Sequence, residues 1–251
     1  MIHDTLPGAS GYEWSKIGDE LAIDHTVYTV DLLGCGRSDK SSITYTNFVY
    51  VQMISDFIKK IICQKTDVIA SGFSGSFVTM ACHNEKELFN KIMLVNPPSL
   101  TQLKQMPNRK DRLLKAALEI PIFGTLVYHM IVSRDNINNL FIEKMYYNPF
   151  HVDNQMADAY YEAAHKGGYY TRFLYSSLAA KYININICHA LKALDNSIYI
   201  VEGETEPNGK AVTDDYCASN PAIEVSVLKE TKHLPHVEAP EAFLEQVKIF
   251  F

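Results

Sequence analysis

The sequence predicts an α/β protein, a mainly parallel sheet flanked by helices, with a helical block inserted within the single domain. Three observations predict it. Short apolar or β-branched runs alternate with helical patterns over residues 1–99 and again over 190–251. No strand pattern interrupts residues 100–189, where helical patterns and aromatics dominate. Within Asp67 to Cys82, an apolar run, a turn of small residues and a helical pattern follow one another around one serine, Ser74.

His3 to Ser10 reads as a polar loop containing Gly and Pro. Residues 11–22 read as a helix with Tyr12, Trp14, Ile17 and Leu21 on one side, and Thr26 to Asp31 as a β-branched and aromatic strand. The loop Leu32-Leu-Gly-Cys-Gly-Arg-Ser-Asp39 follows, in which Arg37, Ser38 and Asp39 are expected to tie the loop by local hydrogen bonds. In 46–62, Phe48, Val51, Ile54, Phe57, Ile58 and Ile61 recur at helical spacing. Val68 to Ala70 and Lys91 to Val95 are buried-strand runs, the second ended by Asn96-Pro97-Pro98. After the helical block come a strand at Ser197 to Val201, a short helix at 211–218 and a strand at Ile223 to Leu228. A closing helix runs from Ala239 to Phe251, with Pro240 near its start. The resulting division is a core of 1–99 and 190–251, with 100–189 lying over one end of the sheet.

The 251 residues are 47% hydrophobic, enough for one domain with a full core. Lys+Arg 23 against Asp+Glu 29 gives −6, and the absence of a basic block argues against nucleic acid as a partner. No run of 18 apolar residues suggests a membrane span. The start, Met-Ile-His-Asp, does not read as a signal peptide. Five cysteines at wide spacing, without C-x-x-C, predict buried thiols in a reduced, cytoplasmic setting. The histidines lack metal-ligand spacing, so neither a metal nor another cofactor is expected; His233 and His236 stand three apart without an acidic or thiol partner at the right interval.

Ser74 stands in Gly72-Phe-Ser-Gly-Ser76, a G-x-S-x-S sequence between strand and helix. A tight turn there exposes a nucleophile, and the N-terminus of the following helix stabilises developing negative charge. A simple packing turn uses the same small residues. A serine needs a base to take its proton, and the base needs an orienting acid. His233, after the last strand, is the candidate base, with His236 as rival. Glu206, in Gly203-Glu-Thr-Glu-Pro207, is the candidate acid, with Glu204 and Asp214 as rivals. Asn96 occupies another acid position and cannot carry the charge. His236 is expected in a loop or at the surface, and Glu238 to cap or orient the closing helix.

Five segments in order resemble the α/β-hydrolase-fold superfamily of the capped, esterase-like kind. His3-Asp4-Thr5-Leu6 resembles its His-Gly oxyanion loop, and Asp31-Leu-Leu-Gly-Cys-Gly-Arg-Ser-Asp39 its D-x-x-G-x-G-x-S segment. Gly72 to Ser76 resembles the nucleophile elbow, Gly203 to Pro207 the acid loop, and Lys232 to Pro240 the histidine loop. The resemblance implies a helical cap over 100–189 and a serine hydrolase acting on a small to medium apolar ester. Ser74 would be the nucleophile, His233 the base and Glu206 the acid. The amides of Gly75 and Thr5 (or Leu6) would form the oxyanion hole. A lyase, a C–C hydrolase or a cofactor-free peroxidase could use the same residues. A non-catalytic protein of the same fold is the other class. Asp4 in place of glycine would crowd the oxyanion loop or set a negative charge beside it. Glu206 and Lys232 also depart, from an aspartate and a glycine. Strands should precede His3, yet only Met1 and Ile2 do, so a truncated start or a gap in the sheet is expected.

Overall fold

The computed structural model describes residues 1–251. Four strands form one parallel sheet in the order β1 (Thr66–Ser71), β2 (Phe89–Val95), β3 (Ile198–Gly203) and β4 (Glu224–Leu228). The sheet is covered on both faces, which explains the continuous apolar runs. Alternate residues divide between two cores, as the two-residue period of a strand requires. Val68, Ala70, Ile92, Leu94, Ile198 and Ile200 face one cluster with Tyr50, Ile54 and Phe77. Ile69, Met93, Val95, Tyr199 and Val201 face the other, with Trp14, Ile17 and Phe243. The helices Asn47–Phe57 and Ser74–Asn84 therefore lie on one face. The closing helix Pro240–Phe250 and the turns Gly11–Trp14 and Gly18–Leu21 lie on the other.

The first part of the chain departs from expectation. Residues 11–22 form two short turns, not one helix, and Tyr12 is exposed. Thr26 to Asp31 does not form a strand of full length; Val30 alone bridges to Ile2, which bridges on its other side to Ala70. The physical reason is length. Ile2 bridges to Val30 and to Ala70 at a single residue each, so the ladder beside Val30 is one residue long. Ile2 N–H donates to Ile69 O and Ile2 O accepts from Ser71 N–H, at 2.9 and 3.0 Å. Below Met1 the sheet opens into a cavity of about 380 Å³ lined by Val27, Tyr28, Phe57, Ile62 and Val68. The five cysteines are free, but Cys63 is exposed, against the expectation of buried thiols.

Between β2 and β3 the chain forms helices only. Leu100, Leu103, Leu174, Ile183 and Ile187 join the core on the sheet. Tyr128, Phe141, Met145, Met156 and Tyr160 make a separate cluster with Ala9, Leu234 and Val237. Those last three residues belong to the loops that carry Asp4 and His233. The helical block is thereby packed against the carboxyl ends of the strands, where open α/β sheets bind ligands. No single helix is long and apolar enough to cross a membrane.

Candidate active site

β1 ends at Ser71, whose N–H is bonded to Ile2 O, and the chain must reverse at once into the helix Ser74–Asn84. Gly72 takes the turn with φ +54, a left-handed conformation that glycine adopts without a Cβ penalty. Phe73 and Ser74 are already helical in backbone. The residue at the apex of the turn is thus Gly72, two positions before Ser74. Ser74 is fully buried, and its hydroxyl donates to His3 O, with Thr5 Oγ1 at 3.5 Å. It does not line the cavity at the sheet end, and no hydrogen bond joins it to His233. The contact that a serine triad needs is not made.

His233 and Glu206 do come together. Glu206 stands just past β3 in the turn before the helix Gly209–Ser219, and its Oε1 is 3.2 Å from His233 Nδ1. His233 follows β4, with its N–H bonded to Met145 O of the helical block. Asn96, at φ +42, staples these loops: its amide donates to Lys232 O and His233 O, and its Oδ1 accepts from Gly203 N–H. Glu238 does not cap the closing helix. Its carboxylate accepts from Lys232 N–H and Tyr147 N–H, both at 2.7 Å, tying the histidine loop to the helical block. Glu204 accepts from Glu230 N–H and stays outside the site.

The other ring nitrogen of His233 faces Asp4. Its Nε2 is 3.5 Å from Asp4 Oδ2. Asp4 Oδ1 accepts from Thr5 N–H at 2.6 Å and from Phe73 N–H at 2.8 Å. The two convergent amides are therefore those of Thr5 and Phe73; Gly75 N–H is bonded to Gly72 O in the turn and is not available. A Cβ placed on Gly72 would lie 2.2 Å from Asp4 Cγ and 2.3 Å from Oδ1. The carboxyl group fills the space that a side chain at the apex would use. Burial opposes the charged form of His233, but the hydrogen bonds and charges of Asp4 and Glu206 outweigh it and push its pKa up to about 10. The ring is an imidazolium at neutral pH, between two acids.

Behind this group, His236 is no surface residue. It is fully buried, stacked on Trp14 at 4.3 Å, with Nε2 3.2 Å from Glu13 Oε1. Glu13 also accepts from Asp4 N–H at 3.4 Å, so this pair backs the Asp4 loop. Asp31 holds Gly11 N–H and Arg37 N–H at 2.6 Å each, and Ser38 donates to Asp31 O. In the 32–39 loop, local ties are made by Ser38, by the Arg37 backbone and by Asp39, whose carbonyl accepts from Gly34 N–H at 2.9 Å.

Asp4, Gly72, Phe73, Glu206 and His233 open on a cavity of about 530 Å³ at the carboxyl end of the sheet. Asn96, Gln102, Glu143, Lys144, Glu202 and Lys232 complete much of its wall. Glu202, not singled out from the sequence, is raised by burial above the ordinary carboxyl range, against the Thr213 hydroxyl. Its position at the end of β3 was the available signal.

A family model described as "Alpha/beta hydrolase family" matches residues 5–246. The chain belongs to the alpha/beta hydrolase family. No curated protein matches the sequence. Among solved structures, this hydrolase-family chain is similar to a meta-cleavage product hydrolase from Pseudomonas fluorescens, at 18% identity and TM-score 0.77, covering 100% of this chain and 88% of that one. It is similar to the epoxide hydrolase CorEH at 15% identity and TM-score 0.79, covering 100% and 89%. It is also similar to a thermophilic esterase from Thermogutta terrifontis at 12% identity and TM-score 0.75, covering 98% and 86%. Likeness at such identities establishes the fold and leaves the reaction to the site.

Proposed function

We propose that the protein is a hydrolase in which His233, oriented by Glu206, moves protons for a small substrate held in the 530 Å³ cavity. One observation carries this reading: His233 stands on the cavity wall with Glu206 3.2 Å from Nδ1 and Asp4 3.5 Å from Nε2. An imidazole held in one orientation by an acid, with its other nitrogen facing a second carboxylate on the cavity wall, is an arrangement that can give and take a proton. The helical block 100–189 serves as a cap that limits water and sets substrate size. The carboxylic-ester reading that began from Ser74 requires a serine beside the histidine, and Ser74 is buried away from it. No cofactor is invoked.

A panel of small esters, lactones and epoxides tests the proposal. Turnover of at least one class is expected. His233→Ala should lower kcat by roughly 10²- to 10⁴-fold and Glu206→Gln by less. Turnover that survives both substitutions would refute it. A second reading, a binding protein of the same fold, draws on the occupation of the Thr5 and Phe73 amides by Asp4. Calorimetric binding of panel compounds with no turnover of any would favour it.

A further inference from the structure

We infer that the helices Arg109–Glu119 and Pro121–Ile131 form a docking surface for an anionic lipid membrane, on which the protein lies without crossing it. The surface is separate from the site, and its role stands whatever the reaction is: neither helix contributes to the wall of the 530 Å³ cavity. In Pro121–Ile131 the buried residues are Gly124 and Tyr128, one turn apart. The opposite stripe, Ile122, Leu126 and Met130 at four-residue spacing, is 77, 67 and 63% exposed, and Phe123 flanks it. In Arg109–Glu119 the buried residues are Asp111 and Leu118, while Leu113 and Leu114 turn outward. Ile120, between the two helices, is exposed as well. Large apolar side chains gathered on two consecutive helices, not scattered singly, mark an interaction surface.

The exposure is built into the fold. The two helices are bent by 95° at the break between them. A Cβ on Gly124 would lie 1.7 Å from Leu118 O, so the second helix crosses the end of the first at backbone contact. Arg172, itself buried, fixes the elbow from beneath. Its Nη2 donates to Glu119 O at 3.3 Å and its Nη1 to Thr125 Oγ1 at 3.4 Å. Asn108 and Asp111 close a capping box at the start of the first helix. Neither helix can turn its apolar stripe inward without breaking these ties. The stripe stays in water unless something outside the chain covers it.

Charge and length select the occupant. Arg109 and Lys110 stand one turn before Leu113 and Leu114 on the outward side, with Arg112 beside them. All three cations are exposed, and none enters an ion pair. The nearby acids are engaged elsewhere, Asp111 by Lys181 and Glu119 by Lys115. In a chain of net charge −6, this leaves a local cationic rim beside an apolar stripe. A membrane that is anionic at its headgroups and apolar beneath them answers both features. A second copy seated on the same patch would bring another cationic rim and no free acid to answer the first. Each helix has 11 residues, and so a length of about 16 Å. That is short of the roughly 30 Å of hydrocarbon in a bilayer, and the bend prevents the two lengths from adding. The helices therefore lie in the interface, with the apolar stripe down and the cations at headgroup level.

Sedimentation of the whole protein with vesicles tests this. It should bind mixed phosphatidylcholine–phosphatidylserine vesicles, and pure phosphatidylcholine vesicles roughly tenfold more weakly. Leu126→Glu, at a position 67% exposed, should keep the melting temperature and lose roughly tenfold or more of the vesicle binding. Arg109→Gln combined with Arg112→Gln should remove the preference for the mixed vesicles and leave the weaker binding in place. Trp14, the one tryptophan, is buried, so Phe123→Trp adds a distinguishable probe. Its fluorescence should shift to the blue on the mixed vesicles and be quenched by brominated acyl chains. Failure to sediment with the mixed vesicles would overturn the inference, as would equal binding to both vesicle types or full binding by Leu126→Glu. Binding without quenching would overturn the placement of the helices in the lipid. A dimer in solution that Leu126→Glu disperses, with no vesicle binding, would assign the face to a second copy and overturn the membrane.

Discussion

The two sides of the site are built by different rules. Glu206 and His233 stand in loops after β3 and β4, strands whose registers are fixed by four and five paired residues. Glu206 Oε1 and His233 Nδ1 stand 3.2 Å apart because the two loops follow adjacent strands. Asp4 and Gly72 stand on the other side, at the ends of Ile2 and β1, which are joined by a single bridge. There the residue facing the histidine is Asp4, in the space that the glycine at the apex of the turn leaves open. A G-x-S-x-S sequence marks where a turn will fall. The position needing φ > 0 marks which residue occupies its apex, and here that is the glycine.

Gly72→Ala breaks the comparison most sharply. The new methyl would have to enter the Asp4 carboxyl group, at 2.2 Å, on a backbone that L side chains rarely adopt. The left-handed conformation alone costs about 1–3 kcal/mol, and the clash adds to it by pushing Asp4 off the Thr5 and Phe73 amides. The expected outcome is a fall in thermal stability of several degrees and loss of most activity. Alanine at the equivalent turn of an ordinary elbow, with its apex elsewhere, would do far less. Stability and activity near those of the unsubstituted protein would show that Gly72 is not the apex.

How far the sequence reached follows the same division. The strands were legible because short continuous apolar runs depend on local pattern. The helix expected at 11–22 and the strand at Thr26 to Asp31 were not. The first is two turns bent to place Trp14 and Ile17 on the sheet, and the second depends on a neighbour that Met1 and Ile2 provide for only one residue. Asp4 was visible as an odd residue in its loop. That its carboxyl would sit over Gly72 needed both the register of Ile2 and the φ of the turn, neither of which has a signature in one sequence. His236 was hidden for a similar reason: its stacking on Trp14 joins residues 222 positions apart, a difference of 236 and 14.

A smaller effect separates the two sides by pH. The folded-state pKa of His233 is raised from 6.5 to about 10 by Asp4 and Glu206, against burial. A raised pKa contributes stability that is fully present below about 6.5 and is lost as pH rises through about 10. The melting temperature should therefore decline over that interval, and His233→Gln, which cannot carry the proton, should lack that part of the decline. For a step in which His233 gives a proton, kcat/KM should stay level from neutral pH and fall only as pH passes about 10, because that step needs the imidazolium. A rise in kcat/KM through pH 6 to 7, as a neutral base would give, would contradict the two-carboxylate environment.

The smallest expected effect is the most diagnostic. Ser74 makes its hydrogen bond to His3 O, is sealed from the cavity and has no bond to His233. Ser74→Ala removes one buried hydroxyl and leaves a backbone carbonyl without that donor, a cost of about 1 kcal/mol in stability. Turnover should remain within roughly a factor of three, since the proton path through His233 is not touched. Were Ser74 the nucleophile, the same change would abolish covalent turnover and the rate would fall by about 10⁶-fold, as it does when a serine triad loses its serine. The two outcomes differ by so many orders of magnitude that a crude preparation decides between them. A fluorophosphonate probe gives the same answer from another direction: with Ser74 buried and the Thr5 and Phe73 amides occupied by Asp4, the folded protein should remain unlabelled.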